Sequence, residues 1–483
     1  MLPIEGQPIL TAAQMRAAEA RAAPTPEAMY GLMERAGRGV AEAIRRLAAG
    51  AEVLILCGPG NNGGDGYVAA RVLREDGHAV RVAALGEPTA DLARRARQSW
   101  HDPVEPFPLA LPDEQIFAPV VVDAVFGTGL SRAPSEHTMW ALGALVRHAR
   151  LSVAVDVPTG VSADTGEVLG HVQPPTFNLT LALGALKPAH VLMPAAERCG
   201  AVRVVDFGLA DPPAPGERWH DRVLARPKLG IPLQGAHKYS RGLVVVIGGA
   251  MIGAASLAVV AAMRSGAGYG VLFSDHPPAE LPHAIVQRAW SPDALRATIA
   301  DKSAVVIVIG PGLGRGADAR AKLDAALACE CPLIIDADAL HLLTDADFAA
   351  FAARDDEDQN LRVVLTPHAG EFAALFGKHA GSKLEAAREA ARRAAATVVY
   401  KGPDTVVAHA KGGTSTLTGA SSWLSTAGTG DVLAGTIAGL WQAEWWDPAE
   451  AGVWLHAEAA RRCGGSFIAD DLLPALSTAR AAL

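Results

Sequence analysis

Cysteine is scarce in this sequence: five residues among 483 (Cys57, Cys199, Cys329, Cys331 and Cys463), with no CxxC pair. So few, odd in number and widely spread, exclude a disulfide scaffold and lead us to expect a reducing cytoplasm. Aromatic residues make up only 5%, and there is no basic excess, with 43 Lys and Arg against 51 Asp and Glu and a formal charge of −8. Without a positive field, and with few rings for base stacking, nucleic acid is not an expected partner. Glu5 stands where a secretion signal needs a basic stretch followed by an apolar one, so no such signal is expected. One charge-free run, 243–263, is long enough to cross a bilayer. It is broken by Gly248, Gly249 and Gly253, which makes strand, turn and helix the better description, and no membrane partner is expected. A Walker loop, GxxxxGK[ST], does not occur.

What the chain has is apolar mass and backbone punctuation. Half the residues are hydrophobic, 19% are charged, and there are 49 Gly and 32 Pro. The length exceeds what a single core supports, so two domains are expected. Short β-branched runs, each followed by a glycine turn and an Ala/Arg/Glu-rich stretch, have the rhythm of βαβ units and predict an α/β fold with parallel sheets. Strands are expected at 52–57, 79–85, 119–124, 151–157, 178–183 and 201–207. In the second half they are expected at 242–248, 270–274, 304–310, 332–337, 362–366, 397–401 and 405–409. The proline-dense stretch from Asp211 to Glu217 reads as a linker, which divides the chain into 1–217 and 218–483. The acidic segment from Arg354 to Asn360 reads as a solvated loop.

In the first half, Gly58, Gly60 and Gly63 form a GxGxxG pattern between a strand and a helix expected from Tyr67. The pattern alone says little. A Rossmann oxidoreductase wants an acidic residue about 20 positions on, and Glu87 is only a loose candidate. Asn61, Asn62 and Asp65 instead put two amides and a carboxylate into the turn, suited to polar ligand atoms and a cation. Asp123 lies inside an apolar run, where an unpaired carboxylate is expensive and a monovalent cation would compensate it. Asp156 ends another such run, just before Pro158, Thr159 and Gly160. Parallel strands converge on the ligand crevice at their C-terminal ends, so Asn62, Asp123, Asp156 and Thr159 are expected to share one site.

These motifs (GNNGGDGYVAAR at 60–71, DAVFGTGL at 123–130, AVDVPTGVSADTG at 154–166, and Leu186, Lys187, Pro188) resemble the N-terminal domain of the bifunctional NAD(P)H-hydrate repair enzymes, over residues 10 to 210. The resemblance implies a Rossmann-like three-layer α/β/α sandwich that epimerises hydrated NADH and NADPH. It also implies a potassium ion held near Asn62, Asp123 and Thr159. Substrate would be bound by Asn61, Asn62, Gly63, Gly64, Asp65, Gly127, Thr128, Gly129, Leu130, Ser131, Arg132, Ala133 and Asp156. Two positions depart from the family pattern: Thr159 replaces the usual Ser, and Asn178 replaces an Asp. In the hydrated cofactor a hydroxyl sits on the ring carbon beside the ring nitrogen, whose lone pair can expel it once an acid assists. Asp156 is expected to handle that proton.

The second half ends its motifs on Ser425-Thr-Ala-Gly-Thr-Gly-Asp431, a glycine turn that enters a helix with a carboxylate on its first turn. Backbone amides there suit a phosphate, and Asp431 is placed to deprotonate a hydroxyl aimed at it. With IGPGLG at 309–314, IDADAL at 335–340, TPHAGE at 366–371 and KGPDT at 401–405, residues 222–480 resemble the dehydratase branch of the ribokinase-like α/β/α fold, although Ala369 replaces the usual proline. The likeness implies dehydration of the S epimer at the expense of ADP, with magnesium accompanying the nucleotide. Ala254, Gly312, His368 and Asp431 would contact the hydrated nucleotide. Lys401, Gly402, Pro403, Asp404, Thr405 and Gly430 would hold the adenine nucleotide. A homo-oligomer is the expected state. Two other readings are a ribokinase-like kinase of a vitamin alcohol with an N-terminal ligand-binding domain, and a first domain that only senses a ligand or binds a protein.

Overall fold

The computed structural model describes residues 1–109, 117–209, 221–276, 278, 280–300, 302, 304–353, 363–442 and 447–483. The expected linker, the 217/218 boundary and the acidic segment 354–360 lie outside them. The chain divides into two compact units, Met1–Val223 and Leu224–Leu483. Among the described residues, no helix is long and apolar enough to cross a membrane.

The first unit is built on a parallel sheet in the spatial order Val104–Pro106, Val80–Ala84, Val53–Cys57, Val120–Ala124, Leu151–Val155, Leu179–Leu183, Ala201–Val205. Every residue of the VLILC, VVVDA and LTLAL strands is buried, as a sheet covered on both faces requires. Side chains alternate between faces. Val53, Ile55 and Cys57 join one core with Val40, Ile44 and Val68, whereas Leu54 and Leu56 join another with Leu142 and Leu145. From the central strand Val53–Cys57 the chain moves first to one side and later returns to the other at Val120–Ala124, which creates a switch point with a crevice at the strand ends. The strand Val104–Pro106 was not foreseen; it is short, half-exposed and contains proline.

The Asn/Gly/Asp cluster also differs from expectation. The helix begins at Asn61 rather than Tyr67, with extended Gly60 as its cap. The glycines do not interrupt it; they let it seat on the strand ends. A methyl at Gly63 would fall 1.9 Å from the Gly58 carbonyl oxygen, and one at Gly58 would fall 1.8 Å from that of Val125.

The second unit places its strands in the order Ile285–Ala289, Tyr269–Ser274, Leu243–Ile247, Val305–Ile309, Leu333–Ile335, Val363–Leu365, Thr397–Tyr400, Val406–Ala408, Thr414–Thr416. Pairing is parallel through Thr397–Tyr400 and antiparallel beyond it. A switch point again flanks the first strand in sequence, Leu243–Ile247. The charge-free run resolves into that strand and the helix Ile252–Ser265. Against this helix lies Thr429–Gly439, and the pair is close because Gly435 and Gly439 abut the Ala258 and Ala262 carbonyl oxygens, where an added methyl would come within 2.0 and 2.3 Å. The strands Ile285–Ala289 and Thr414–Thr416 were not foreseen. The first is largely exposed and the second is entirely Thr and Ser.

These contacts distinguish two kinds of glycine. Gly435→Ala is expected to lower stability by about 1–3 kcal/mol, because backbone rather than a flexible side chain must move. Gly143→Ala, in mid-helix with nothing within 4 Å of the added methyl, is expected to raise it by about 0.5–1 kcal/mol. Urea titrations of both variants measure the contrast, and midpoints that shift in the same direction would contradict it.

Candidate functional site

At the switch point of the first unit lies a cavity of about 400 Å³ whose wall includes Asn62, Asp65, Gly127, Asp156, Lys187 and Glu19. Asn62 occupies the first turn of the helix Asn61–Glu75, and both polar atoms of its side chain are buried with no hydrogen-bond partner among the described residues. A buried amide is nearly always satisfied, so this one points to a ligand. A methyl on Gly127 would lie 3.2 Å from both Asn62 Oδ1 and Asp156 Oδ2, which shows that these side chains converge over a bare stretch of backbone.

Behind them Asp123 is fully buried. Its Oδ1 accepts from the Val125 N–H (3.1 Å) and the Thr159 hydroxyl (2.9 Å), and its Oδ2 accepts from the Thr159 N–H (3.0 Å). All of these donors are neutral. Burial pushes the carboxyl up to about 6, against the opposing effect of the Thr159 and Val125 hydrogen bonds. Since Thr159 Oγ1 also accepts the Phe126 N–H at 3.0 Å, Asp123 joins the turn after its own strand to the Pro-Thr-Gly turn.

Asp156 has φ +65°, a left-handed conformation uncommon for a residue with a side chain. Its Oδ1 accepts from Lys187 Nζ at 2.5 Å, and that ammonium also donates to the Leu183 carbonyl at 2.7 Å. Asp65 differs in kind: burial, and then the charges of Asp156 and Glu19, push its carboxyl well above the usual carboxylate range and favour its protonated form.

In the second unit the motifs converge on Lys401. Its Nζ donates to Asp336 Oδ1 at 2.7 Å, stands 3.9 Å from Glu371 Oε2, and would lie 3.3 Å from a methyl on Gly430. The Thr366 hydroxyl donates to the same Asp336 oxygen at 2.7 Å. Asp431 is on the first turn of Thr429–Gly439. Burial raises its carboxyl to about 7, helped by Asp336, Asp338 and Glu371 and opposed by Lys401. Gly312, at φ +60°, accepts the Met251 N–H at 2.9 Å and so joins the IGPGLG turn to the segment leading into Ala254. His368 caps a helix: its Nδ1 accepts the Gly370 and Glu371 N–H groups at 3.0 and 3.2 Å, while Glu371 Oε2 accepts the His368 N–H at 2.8 Å.

Two family models match the chain: a YjeF-related protein N-terminus over 29–189 and NAD(P)H-hydrate dehydratase over 244–479. The bifunctional NAD(P)H-hydrate repair enzyme of Coxiella burnetii is 32% identical over 495 residues, covering 96% of this chain and 97% of the relative. The chain belongs to that family. The same-named enzyme of Salinibacter ruber is 35% identical, covering 96% of this chain and 95% of its own. A crystal structure of the ADP/ATP-dependent NAD(P)H-hydrate dehydratase from Bacillus subtilis, co-crystallised with ATP and Mg²⁺, is 26% identical with a TM-score of 0.43, covering 52% of this chain and 94% of that one.

The expected epimerase residues of this repair enzyme separate by position. Asn61, Asn62, Asp65, Gly127, Thr128, Gly129, Leu130 and Asp156 line the cavity. Gly63 and Gly64 are packing contacts of the helix, and Ser131, Arg132 and Ala133 continue as an exposed segment beyond the wall. Asn178 has a structural partner: its Oδ1 accepts from the Ser152 N–H (2.8 Å) and hydroxyl (3.0 Å). At the KGPDT turn, 401–405, Lys383 Nζ donates to Asp404 Oδ1 at 2.6 Å, and the Thr405 hydroxyl donates to the Gly402 carbonyl at 2.8 Å. Sequence reasoning assigned no role to Lys187, His190, Asp336 or Thr366. For Asp336 a signal was present, since it ends a buried apolar strand just as Asp123 does.

Asp336→Ala leaves Lys401 beside an empty, largely buried site. Removing one partner of such a pair costs about 3–5 kcal/mol, reduced here because the Lys401 side chain keeps 17% exposure. Chemical denaturation is expected to show a loss near the lower end of that range, and a change below about 1 kcal/mol would show that the pair does not hold these turns together.

Proposed function

We propose that the first unit interconverts the R and S epimers of hydrated NADH and NADPH in the Asn62, Gly127, Asp156 cavity. The second unit dehydrates the S epimer beside Asp431, converting ADP to AMP and phosphate. The observation that carries the first assignment is the unpartnered Asn62 amide meeting Asp156 over Gly127. Epimerisation asks little of the protein: the ring nitrogen lone pair expels hydroxide as water once a proton is supplied, and water returning to the other face inverts the centre. Asp156 handles that proton, with the protonated form of Asp65 on the same wall as a donor.

A potassium ion fits the residues at the back of this cavity. Among the described residues Asn62 has a free amide oxygen, and the buried Asp123 is met only by the neutral donors of Val125 and Thr159. Asn62, Asp123 and Thr159 would hold it, and it would supply the positive charge that the buried carboxylate lacks. The change from Ser to Thr at 159 keeps the hydroxyl this arrangement uses.

In the second unit, Asp431 takes the proton of the ring hydroxyl as its oxygen attacks the terminal phosphorus of ADP, and AMP departs. The backbone amides at the start of Thr429–Gly439 and the Lys401 ammonium stabilise the phosphate oxygens. The ring nitrogen then expels phosphate, the neighbouring carbon loses a proton, and the dihydronicotinamide is restored. Magnesium would travel on the nucleotide phosphates, since no group of three His, Cys, Asp or Glu side chains forms a metal cage among the described residues. If only one epimer is dehydrated, the other accumulates unless the two are exchanged, which gives both activities a reason to share a chain.

The test is incubation of mixed hydrated NADH epimers with ADP or ATP, following return of reduced-ring absorbance and the epimer ratio. Asp156→Ala is expected to dehydrate the S fraction and stop, while Asp431→Asn is expected to exchange epimers without restoring the ring. Equal loss of both activities in either variant would refute two separate sites. Asn62→Leu is expected to lose epimer exchange and its stimulation by potassium chloride, with dehydration unchanged. Because Asp431 must be ionised to accept a proton and its carboxyl is raised to about 7, the dehydration rate is expected to rise with pH through that value. A rate independent of pH between 6 and about 8 would remove Asp431 as the base.

A further inference from the structure

Asp156 makes more contacts than a proton carrier needs, and two of them come from one short turn. Lys187 caps the 3-10 turn Pro188–His190. From it, Lys187 Nζ reaches Asp156 Oδ1 at 2.5 Å and the Leu183 carbonyl at 2.7 Å, while His190 Nε2 lies 2.6 Å from the Asp156 carbonyl oxygen. The Lys187 N–H donates to His190 Nδ1 at 2.8 Å, so Nδ1 is the acceptor and Nε2 carries the hydrogen that it donates to Asp156. Lys187 is 1% exposed and His190 3%. Burial, with help from the Lys187 charge, lowers the imidazole to about 4 and keeps it neutral at ordinary pH. Side chain and backbone of Asp156 are therefore gripped at once, at a residue held left-handed at φ +65°. Only Oδ2 is left on the Gly127 side, toward Asn62.

We propose that Lys187 and His190 are positioning residues for epimerisation, a two-point clamp that holds Asp156 in its strained conformation so that Oδ2 alone faces the reacting ring carbon. The proposal rests on the epimerase reading of this cavity. The strain makes the clamp necessary. A non-glycine residue in the left-handed region persists only where its surroundings enforce it. If released, Asp156 relaxes and its carboxylate swings away from the ring. Misplacement by about 1 Å costs on the order of 10²-fold in rate, and it falls on turnover rather than on binding.

The experiment uses the full chain and follows epimer exchange of hydrated NADH by chromatography, with a native thermal unfolding profile of the whole chain, both units included, as the control for intact protein. Lys187→Ala is expected to lower kcat for exchange by about 10²-fold with KM changed less than about threefold, and ethylammonium chloride is expected to restore part of the rate saturably. His190→Leu is expected to lower kcat at least tenfold, and His190→Gln, which keeps an N–H for the Asp156 carbonyl, to remain within a few-fold of the native enzyme. Folded Lys187→Ala with native kcat, a loss confined to KM, or equal rates for the Leu and Gln variants would each overturn the clamp. If Lys187→Ala does not fold, the His190 pair decides alone. Absence of epimer exchange in the unmodified chain would instead overturn the epimerase reading.

Discussion

A carboxylate buried at the end of a parallel strand must be answered by donors, and in each unit of this chain those donors come from the turns that build the site. Asp123 is the penultimate residue of Val120–Ala124 in the first unit, and Asp336 follows Leu333–Ile335 in the second. Each is 1% exposed or less. Asp123 draws together the Val125 turn and Thr159, and Asp336 draws together Thr366 and Lys401. An unpaired carboxylate in such a place is costly enough that the turns cannot separate without exposing it. The two cases differ in what answers the charge. Asp336 has an ammonium of its own, which answers its charge within the chain while keeping further N–H donors. Among the described residues Asp123 is met by neutral donors, which is the reason for proposing a cation between it and Asn62.

Close backbone approach is the second condition, and here glycine is required for space rather than for turn geometry. Gly58 and Gly63 bring the helix start at Asn61 down onto the sheet, and Gly435 and Gly439 bring the helix of Asp431 against Ile252–Ser265. In both units a helix N-terminus and its polar first-turn residue reach the strand ends because the contacting positions lack a side chain. The motifs GNNGGDG and GTGDVLAG thus carry two properties at once, chemistry in the amide and carboxylate positions and fit in the glycines.

The positions of the strongly apolar strands were legible because full burial on both faces leaves a nearly uninterrupted apolar run, as in VLILC and LVVVI. Val104–Pro106, Ile285–Ala289 and Thr414–Thr416 left no such mark, being half-exposed, largely exposed or polar. The site was legible wherever its residues form a compact motif, as at Asn61, Asn62 and Asp65. It was not legible where a contact joins residues distant in sequence: Lys187 stands between Leu186 and Pro188 and meets Asp156 thirty-one positions away. His368 is expected from its motif to contact a ligand, and the structure adds a capping role for its Nδ1 that the motif did not suggest. Helix capping and ligand binding draw on the same polar residues, and only the partner atoms tell them apart.

The electrostatics of the two sites suit different tasks. Along the first cavity, Glu19 and Asp65 are both raised by burial, and the Lys187 ammonium is already committed to Asp156 and Leu183. Such a wall suits proton exchange better than the stabilisation of a new anion, which is enough for the proposed reaction, in which water only moves from one face of a ring to the other. The reaction proposed for the second site passes through a phosphoryl group in transit, and there an ammonium, Lys401, stands beside a helix start at Gly430. Burial first, and then the carboxylates of Asp336, Asp338 and Glu371, bring the proton affinity of Asp431 close to neutrality. A carboxylate of ordinary acidity would be a poor acceptor for a hydroxyl proton, and one raised much further would stay protonated; Asp431 lies between these limits because Lys401 offsets part of the repulsion.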